Sequence, residues 1–242
     1  MRNCRLKIIP HSKPIFDKED SKHINTVLDR RFVSTGIEVK KLAQKSRIVA
    51  KKWGIPTQSG TDAITAALVA MRLKRGSKIA LPAYLCSAVL DSIAIAGAIP
   101  FPVDIDKNTL AISTENVNSQ KNISAVIGAH LFGIPAPLHK IECINFIEDC
   151  AQTLCVKNSE NILVGSSGRF AILSFYATKL ATCGHGGMIS GNSDDDKNTI
   201  LKLFNHDKQE EWFPHLHYLM SDLNAALALS QLNKIKEFIK IR

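Results

Sequence analysis

Lys179 is the residue of this chain whose setting points most directly to covalent chemistry. It follows the apolar run 170–175 and precedes the glycine-rich turn 184–187. Burial disfavours the ammonium form and so lowers the pKa of a lysine, and a neutral amine can attack a carbonyl carbon to form a Schiff base. A lone lysine in a loop is usually a surface residue, but the apolar run before it favours burial. We therefore predict that Lys179 is a nucleophile for a carbonyl compound.

The turn 58–62 offers a site for the phosphate of one such compound, pyridoxal 5'-phosphate. Gly60 and Thr61 lie where a short apolar run ends and a helix begins. Free backbone N–H groups and the helix dipole favour an anion at such a terminus. Ser174, five residues before Lys179, can add a hydroxyl to the same phosphate cup. The alternative for the turn is an ordinary capped helix, which is the commoner outcome for this pattern taken alone.

Two further segments offer groups for the pyridine ring of the same cofactor. Asp149 ends an apolar run, and a carboxylate beside the pyridine nitrogen keeps that nitrogen protonated, so that the ring can accept electrons. Gln152 can hydrogen-bond the ring hydroxyl, and Tyr84, shortly after Pro82, can lie flat over the ring. The ordinary alternatives are a solvated acidic turn for Asp149 and a core position for Tyr84.

The elements that must position these residues alternate along the chain from residue 55 onward. Apolar runs predict strands at 55–58, 78–82, 99–103, 123–129, 144–148 and 170–175. Helical spacing predicts helices at 17–31, 36–53, 61–73, 86–97, 197–206 and 220–241, with shorter pieces in 107–119 and 137–142. The alternation predicts an α/β fold with a mostly parallel sheet and helices on both faces. In such sheets ligands bind beyond the carboxyl ends of the strands.

The composition is that of an ordinary globular chain. Of the 242 residues, 45% are hydrophobic and 22% are charged, and the formal net charge is +9. Basic residues crowd 40–52 and 72–78, which indicates either a solvated surface or attraction for anionic ligands such as phosphates. No nucleic-acid motif, signal peptide or membrane-length apolar run occurs, so we expect neither nucleic acid nor membrane as a partner. The six cysteines form no CxxC pair and no zinc spacing, so we expect buried free thiols, no metal and a cytoplasmic location.

Taken together, an ordered series of motifs resembles the DegT/DnrJ/EryC1/StrS family, the pyridoxal-phosphate-dependent sugar aminotransferases of fold type I. The resemblance covers nearly the whole chain. The motifs stand in family order at residues 32–36, 59–63, 82–84, 103–106, 130–133, 148–152, 174–179, 186–187 and 220–227. Each motif is weak alone, but the ordered set is highly specific.

The resemblance implies a role for each site residue. Lys179 would bind the cofactor covalently and shuttle protons. Asp149 would pair with the pyridine nitrogen, and Gln152 would contact the ring hydroxyl. Tyr84 would cover the ring, as in relatives with a Pro-Ala-Tyr pattern. The phosphate would be held by Gly60, Thr61 and Ser174.

The resemblance also implies a reaction and an assembly. Family members similar to this chain move an amino group from glutamate or glutamine to a nucleotide-linked keto sugar, and they work as homodimers whose sites combine residues of both subunits. Residues 1–242 are expected to form the large domain of the fold type I transferases, with its seven-stranded type of sheet and an N-terminal helical segment at 1–54. The family's smaller C-terminal domain is expected to be absent.

Several positions depart from the family pattern. His217 stands where the family has an asparagine that reaches the partner subunit's phosphate, and Cys86 stands where a ring-stacking aromatic residue is common. Arg169 replaces a frequent acid. With the chain's length, these departures keep open a second hypothesis, a cofactor-binding scaffold subunit without turnover. A third is a related sugar dehydratase, although that branch commonly replaces the lysine that is present here as Lys179.

Overall fold

Seven short strands form one sheet in the part of the chain that the computed structural model describes, residues 10–205 and 214–241. The strands are β1 (Trp53–Thr57), β2 (Lys78–Pro82), β3 (Ile99–Val103), β4 (Ala125–Ala129), β5 (Phe146–Asp149), β6 (Phe170–Ser174) and β7 (Gly187–Gly191). Their spatial order is β1-β7-β6-β5-β4-β2-β3. Six of them match the predicted strands to within a few residues, and the predicted α/β fold is confirmed.

The sheet is parallel except at β7, which runs antiparallel to both of its neighbours, β1 and β6. The sequence pattern did not predict β7, because a segment that begins and ends with glycine reads as a turn. The structure shows why Gly187 is needed there. A Cβ atom on Gly187 would lie only 2.4 Å from the carbonyl carbon of Ser59, so any side chain would collide with the turn before the third helix.

The helices are α1 (Lys18–Asp29), α2 (Ile37–Ala43), α3 (Gly60–Ala70), α4 (Ala88–Ile95), α5 (Thr114–Asn118), α6 (Asp194–Phe204), α7 (Asp222–Asn233) and α8 (Ile235–Ile241). The helix predicted over 36–53 is wrong in its second half, where a 3-10 helix at Gln44–Val49 leads into β1. The helix predicted over 220–241 is interrupted at Lys234, and 137–142 holds only the 3-10 turn Leu138–Lys140. Residue 206, the predicted end of another helix, lies outside the described residues. No helix in the described ranges is long and apolar enough to cross a bilayer.

Three hydrophobic clusters cover the faces of the sheet, and β6 shows how the residues of one strand divide between two of them. Phe170 and Ile172 lie in the cluster that contains α3, α4 and α6. Ala171 and Leu173, the alternate residues, lie in the cluster that contains α2 and α7. Side chains of a strand point alternately to opposite faces, so a strand that is apolar throughout must be covered on both. The predicted helices on both faces are confirmed.

The N-terminal end of α1 is tied to the C-terminal end of α7 by polar contacts. Asp17 caps α1 in a capping box with Asp20. Lys234 Nζ lies 2.9 Å from Asp17 Oδ2 and 2.7 Å from Asp20 Oδ2, and the Gln231 amide donates to Asp20 Oδ1 at 3.1 Å. These contacts hold the start of α1 against the end of α7.

Candidate active site

A cavity of about 280 Å³ lies at the carboxyl edge of the sheet. The ends of β4, β5 and β6, the first turn of α3 and the turn after β6 form its walls. This is the edge at which parallel α/β sheets bind ligands. Of the predicted site residues, the cavity brings together Gly60, Thr61, Asp149, Gln152, Ser174 and Lys179.

The first turn of α3 opens into this cavity. Ser59 is the N-cap, and its hydroxyl accepts from the Asp62 N–H at 3.0 Å. Gly60 and Thr61, the first two helical residues, have N–H groups with no helical acceptor, and such groups favour an anion. A Cβ atom on Gly60 would lie 3.1 Å from Ser174 Cβ, so the glycine lets the Ser174 side chain approach the turn. The turn and Ser174 therefore form one cradle of suitable chemistry for a phosphate.

Asp149 is the last residue of β5 and lies buried on the cavity wall. Its Oδ1 accepts from the Ala151 N–H at 2.9 Å, and Oδ2 accepts no hydrogen bond within the described ranges. Burial raises the pKa of the Asp149 carboxyl, while the hydrogen bond from Ala151 and the charge of Lys179 lower it, and the net pKa lies above the ordinary value. A buried carboxyl with one free oxygen is ready to pair with a cationic ligand atom.

Lys179 lies in the turn after β6, partly buried rather than on the open surface. The turn is closed by its own backbone, since the Lys179 N–H donates to the Tyr176 carbonyl at 2.9 Å. Its side chain lines the cavity that Asp149 also lines, and the ammonium has no hydrogen-bond or ion-pair partner among the residues the structure describes. Lys179 follows the buried strand β6 along the chain, and its role as the nucleophile stays a prediction.

Of the two side chains predicted to contact the pyridine ring, Gln152 lines the cavity and Tyr84 does not. The Gln152 Oε1 accepts from the Phe132 N–H at 3.0 Å, which leaves the amide nitrogen for a ligand. Tyr84 is 56% exposed, and its ring lies 6.1 Å from that of Phe132. Cys86 lines the cavity instead. Tyr84 as a ring cover stays a prediction to which this placement adds no support.

The cysteines are free thiols in the described part of the chain, but they are not all buried. Cys150 and Cys183 are buried, and burial raises the pKa of the Cys183 thiol to about 12. Cys86 is exposed in the cavity, contrary to the expectation of buried thiols. Cys4 lies outside the described residues.

A cluster behind the cavity centres on Glu148, the residue before Asp149, and sequence reasoning gave it no role. Glu148 is buried, and its carboxylate accepts from His130 Nε2 at 2.9 Å. Three backbone N–H groups of the turn 165–168 also donate to it, at 2.7 to 2.9 Å. Burial raises the pKa of Glu148, but the hydrogen bonds from His130 and from the Gly168 N–H outweigh burial, and the net pKa is lowered. Glu148 is a buried carboxylate whose bonding the chain itself completes.

His130 and Lys51 complete this cluster. His130 Nδ1 accepts from the Ala136 N–H at 2.9 Å, so the ring is neutral and carries its proton on Nε2, toward Glu148. Lys51 is buried and donates to the carbonyls of Ser166 and Gly168 at 2.9 and 2.5 Å. Burial lowers the pKa of Lys51, and the charge of Glu148 raises it in part. His130 also lines the cavity. The motif at 130–133 was the sequence signal that could have found it.

The sequence profile of the DegT/DnrJ/EryC1/StrS aminotransferase family matches residues 14–242. The chain belongs to this family. The match spans both the cavity and the buried cluster behind it, and it confirms the resemblance on which the assignment of motifs was based.

Solved structures of similar fold support the same architecture. S. venezuelae DesV is 20% identical, with a TM-score of 0.82, and the match covers 90% of this chain and 62% of that one. The B. subtilis protein ntda, solved with the bound cofactor PMP, is 21% identical, with a TM-score of 0.81, over 95% of this chain and 58% of that one. E. coli GDP-4-keto-6-deoxy-D-mannose-3-dehydratase, solved with hydrated PLP, is 22% identical, with a TM-score of 0.86, over 96% and 69%.

At these identities the likeness establishes the fold type I architecture of this DegT-family chain. The chain spans less than two thirds of the length of DesV and of ntda, at 62% and 58%.

Proposed function

We propose that this DegT-family chain binds pyridoxal 5'-phosphate at Lys179 and functions as a PLP-dependent aminotransferase that acts on a nucleotide-linked keto sugar. The observation that carries the proposal is a juxtaposition. The side chain of Lys179, the free oxygen of Asp149 and the first turn of α3 line one cavity at the carboxyl edge of the sheet. These are a nucleophile, a partner for a cation and a phosphate cradle, the three groups that the cofactor requires.

The residues fit the cofactor on observations of this structure. A Cβ atom on Gly60 would lie 3.1 Å from Ser174 Cβ, and a Cβ atom on Gly187 of β7 would lie 2.4 Å from the Ser59 backbone, so these glycines let the α3 turn approach Ser174 and β7. Within the described ranges Asp149 Oδ2 has no hydrogen-bond donor, and the Gln152 amide nitrogen has no acceptor. When bound, pyridoxal phosphate supplies an electron sink for a carbanion.

Each residue then has a definite task. Lys179 Nζ would hold the cofactor covalently and, once released, would hold or move the proton at the substrate carbon, which is general acid–base work by a positioned amine. Asp149 stays ionised against a cationic ring nitrogen and keeps it protonated, which overcomes the rise in pKa that burial alone gives this carboxyl. The Gln152 amide donates to a ring oxygen. The phosphate is held by Gly60, Thr61 and Ser174.

Substrate, assembly and location are parts of the same proposal. Membership of the aminotransferase family and the nucleotide-sugar name of the E. coli neighbour support a nucleotide-linked keto sugar as acceptor. As donor we propose glutamate or glutamine, which the family resemblance implies. His217 lines a different cavity from that of Lys179. We also propose a homodimer, the assembly that the family resemblance implies, in which His217 faces the cofactor phosphate of the partner subunit. The free cysteines fit a reducing compartment, and we propose the cytoplasm.

Borohydride trapping followed by peptide mapping tests the cofactor site. Protein incubated with pyridoxal phosphate and reduced should carry the label on Lys179, and Lys179→Ala should lose it. Lys140→Ala is the matched control, because Lys140 is an exposed lysine paired with Glu160 on the surface. Label on any other lysine, or covalent retention by Lys179→Ala, contradicts the assignment.

Addition of glutamate then separates transfer from binding. A shift of the cofactor's absorbance band with release of 2-oxoglutarate supports the first half of the aminotransferase reaction. Amination of a nucleotide-linked keto sugar then supports the second half. Capture at Lys179 without that shift supports the scaffold hypothesis. Protein that takes up no added pyridoxal phosphate contradicts both.

A further inference from the structure

A second and smaller cavity, of about 130 Å³, adjoins Lys179 on the side of the N-terminal segment. Its walls are residues 12–15, which we call the strap, together with Leu180, Phe238 and Ile241. Lys179 lines this cavity and the cofactor cavity. A group in the small cavity therefore lies beside Lys179, next to the cofactor cavity but outside it.

The positive charges near Lys179 are few. Among the described residues that line the two cavities, the basic side chains are Lys13, His130 and Lys179 itself. His130 is neutral, because its Nδ1 accepts from a backbone N–H and its Nε2 donates to Glu148. Lys13 makes no hydrogen bond or ion pair to any residue in the described ranges. Lys13 is therefore the remaining cation for an anionic substrate group that reaches Lys179.

The strap holds Lys13 between two anchored neighbours. The Ser12 hydroxyl donates to the Ala177 carbonyl, two residues before Lys179, in a long hydrogen bond of 3.4 Å. The Ile15 carbonyl accepts from the buried Gln231 amide at 3.0 Å. Pro14 fixes one backbone dihedral angle between them. Such anchoring reduces the conformational entropy that an ordered lysine loses on binding a ligand.

We propose that Lys13 binds a carboxylate of the amino-acid donor while the donor's amine reaches the cofactor carbon that Lys179 would hold. This inference rests on the proposed aminotransferase function and adds its donor subsite. A lysine ammonium is a compact point charge that suits a single carboxylate. The small cavity accommodates a carboxylate with its first methylene groups but not a nucleoside diphosphate. The sugar nucleotide is then left to the open side of the cofactor cavity.

Glutarate, an unreactive dicarboxylate that mimics glutamate without its amine, is the probe. Its dissociation constant for the pyridoxal-phosphate-loaded protein is measured by titration calorimetry. In Lys13→Gln the constant should rise about 10- to 100-fold, the range expected when a hydrogen bond to a charged group is lost. Lys13→Arg should restore most of the affinity. Lys18→Gln, an exposed lysine of α1, is the matched control and should change nothing.

Two further measurements separate this inference from its competitors. Borohydride capture at Lys179 should be equal in wild type and Lys13→Gln; absence of capture in the wild type is failure of the proposed function, not of the donor subsite. Guanosine diphosphate should bind both proteins equally. An unchanged glutarate affinity in Lys13→Gln, no glutarate binding to wild type, or a loss confined to guanosine diphosphate would each overturn the inference.

Discussion

Asp149 and Glu148 are adjacent carboxylates on one strand, yet the chain treats them in opposite ways. Glu148 accepts four hydrogen bonds, from His130 and from the turn 165–168, and its pKa is lowered despite burial. Asp149 accepts one, from Ala151, and burial raises its pKa. Because side chains alternate along a strand, the two face opposite sides of the sheet. The chain supplies hydrogen-bond donors to Glu148, which supports the fold, and leaves an oxygen of Asp149 available to a ligand.

Lys51 and Lys179 differ in the same way, since one has hydrogen-bond acceptors within the fold and the other faces the cavity. Lys51 is buried beside Glu148, and two backbone carbonyls accept from its ammonium. Lys179 lies in the cavity beside Asp149 without such a partner in the described part of the chain. A buried polar group with all its bonds made is structural, whereas an incomplete one at a cavity marks a binding site. The following predictions test this comparison from the largest expected effect to the smallest.

Glu148→Ala should lower the free energy of unfolding by about 3–5 kcal/mol, the usual consequence of removing one member of a buried charged cluster. The substitution leaves three backbone N–H groups, His130 Nε2 and the Lys51 charge without their acceptor or counter-charge. Urea unfolding measures it. Glu160→Ala is the control, since Glu160 forms surface pairs with His139 and Lys140 and should contribute under about 1 kcal/mol. Equal effects of the two substitutions would show that the buried cluster is not structural.

Asp149→Asn should act on the cofactor rather than on the fold. A charge-assisted hydrogen bond is worth about 1.5–3 kcal/mol, so retention of pyridoxal phosphate should weaken by about 10- to 100-fold. The cofactor-free protein should unfold at the same or a higher urea concentration, because a buried carboxylate with one hydrogen bond is removed. Equilibrium dialysis and urea unfolding give the two values. A loss of stability without loss of cofactor would reverse the roles of the two acids.

The two acids should also give pH dependences of opposite sign in the cofactor-free protein. The lowered pKa of Glu148 contributes stability that is present above its unfolded pKa and is lost as pH falls through the folded value. The raised pKa of Asp149 opposes folding at neutral pH, and that penalty diminishes as pH falls through the raised value. Each slope is at most about 1.4 kcal/mol per pH unit for one proton.

Unfolding of Glu148→Gln and Asp149→Asn from about pH 3 to about pH 7.5 measures these slopes, because the Glu148 change falls below the ordinary glutamate pKa of about 4.3 and the Asp149 change falls above the ordinary aspartate pKa of about 3.9. The loss of stability in Glu148→Gln should be larger at the upper end of this range, and any gain in Asp149→Asn should be larger there too. Slopes of the same sign for both acids would remove the electrostatic basis of the comparison.

The sequence could predict those site residues whose position depends on local sequence pattern, but not those whose position depends on tertiary contacts. Lys179 and Asp149 could be predicted, because each ends or follows an apolar strand and such strands end at one edge of the sheet. β7 could not, because Gly187 is dictated by the close approach of the Ser59 turn, which lies far away in sequence. Glu148 was overlooked because its partners in 165–168 approach only in the folded chain.

Tyr84 is the residue on which sequence and structure differ most, and it should give the smallest effect. Its ring is 56% exposed and lies beside Phe132, so Tyr84→Ala should change the free energy of unfolding by no more than about 0.5 kcal/mol. Retention of pyridoxal phosphate should stay within about twofold, a change of about 0.4 kcal/mol. Cys86 provides the contrast, because it is exposed inside the cavity and iodoacetamide would add bulk there. Alkylation of Cys86, located by peptide mapping, should exclude the cofactor, and bound cofactor should slow it. If instead Tyr84→Ala releases the cofactor, the tyrosine turns onto the ring when the ligand binds, and the sequence prediction is restored.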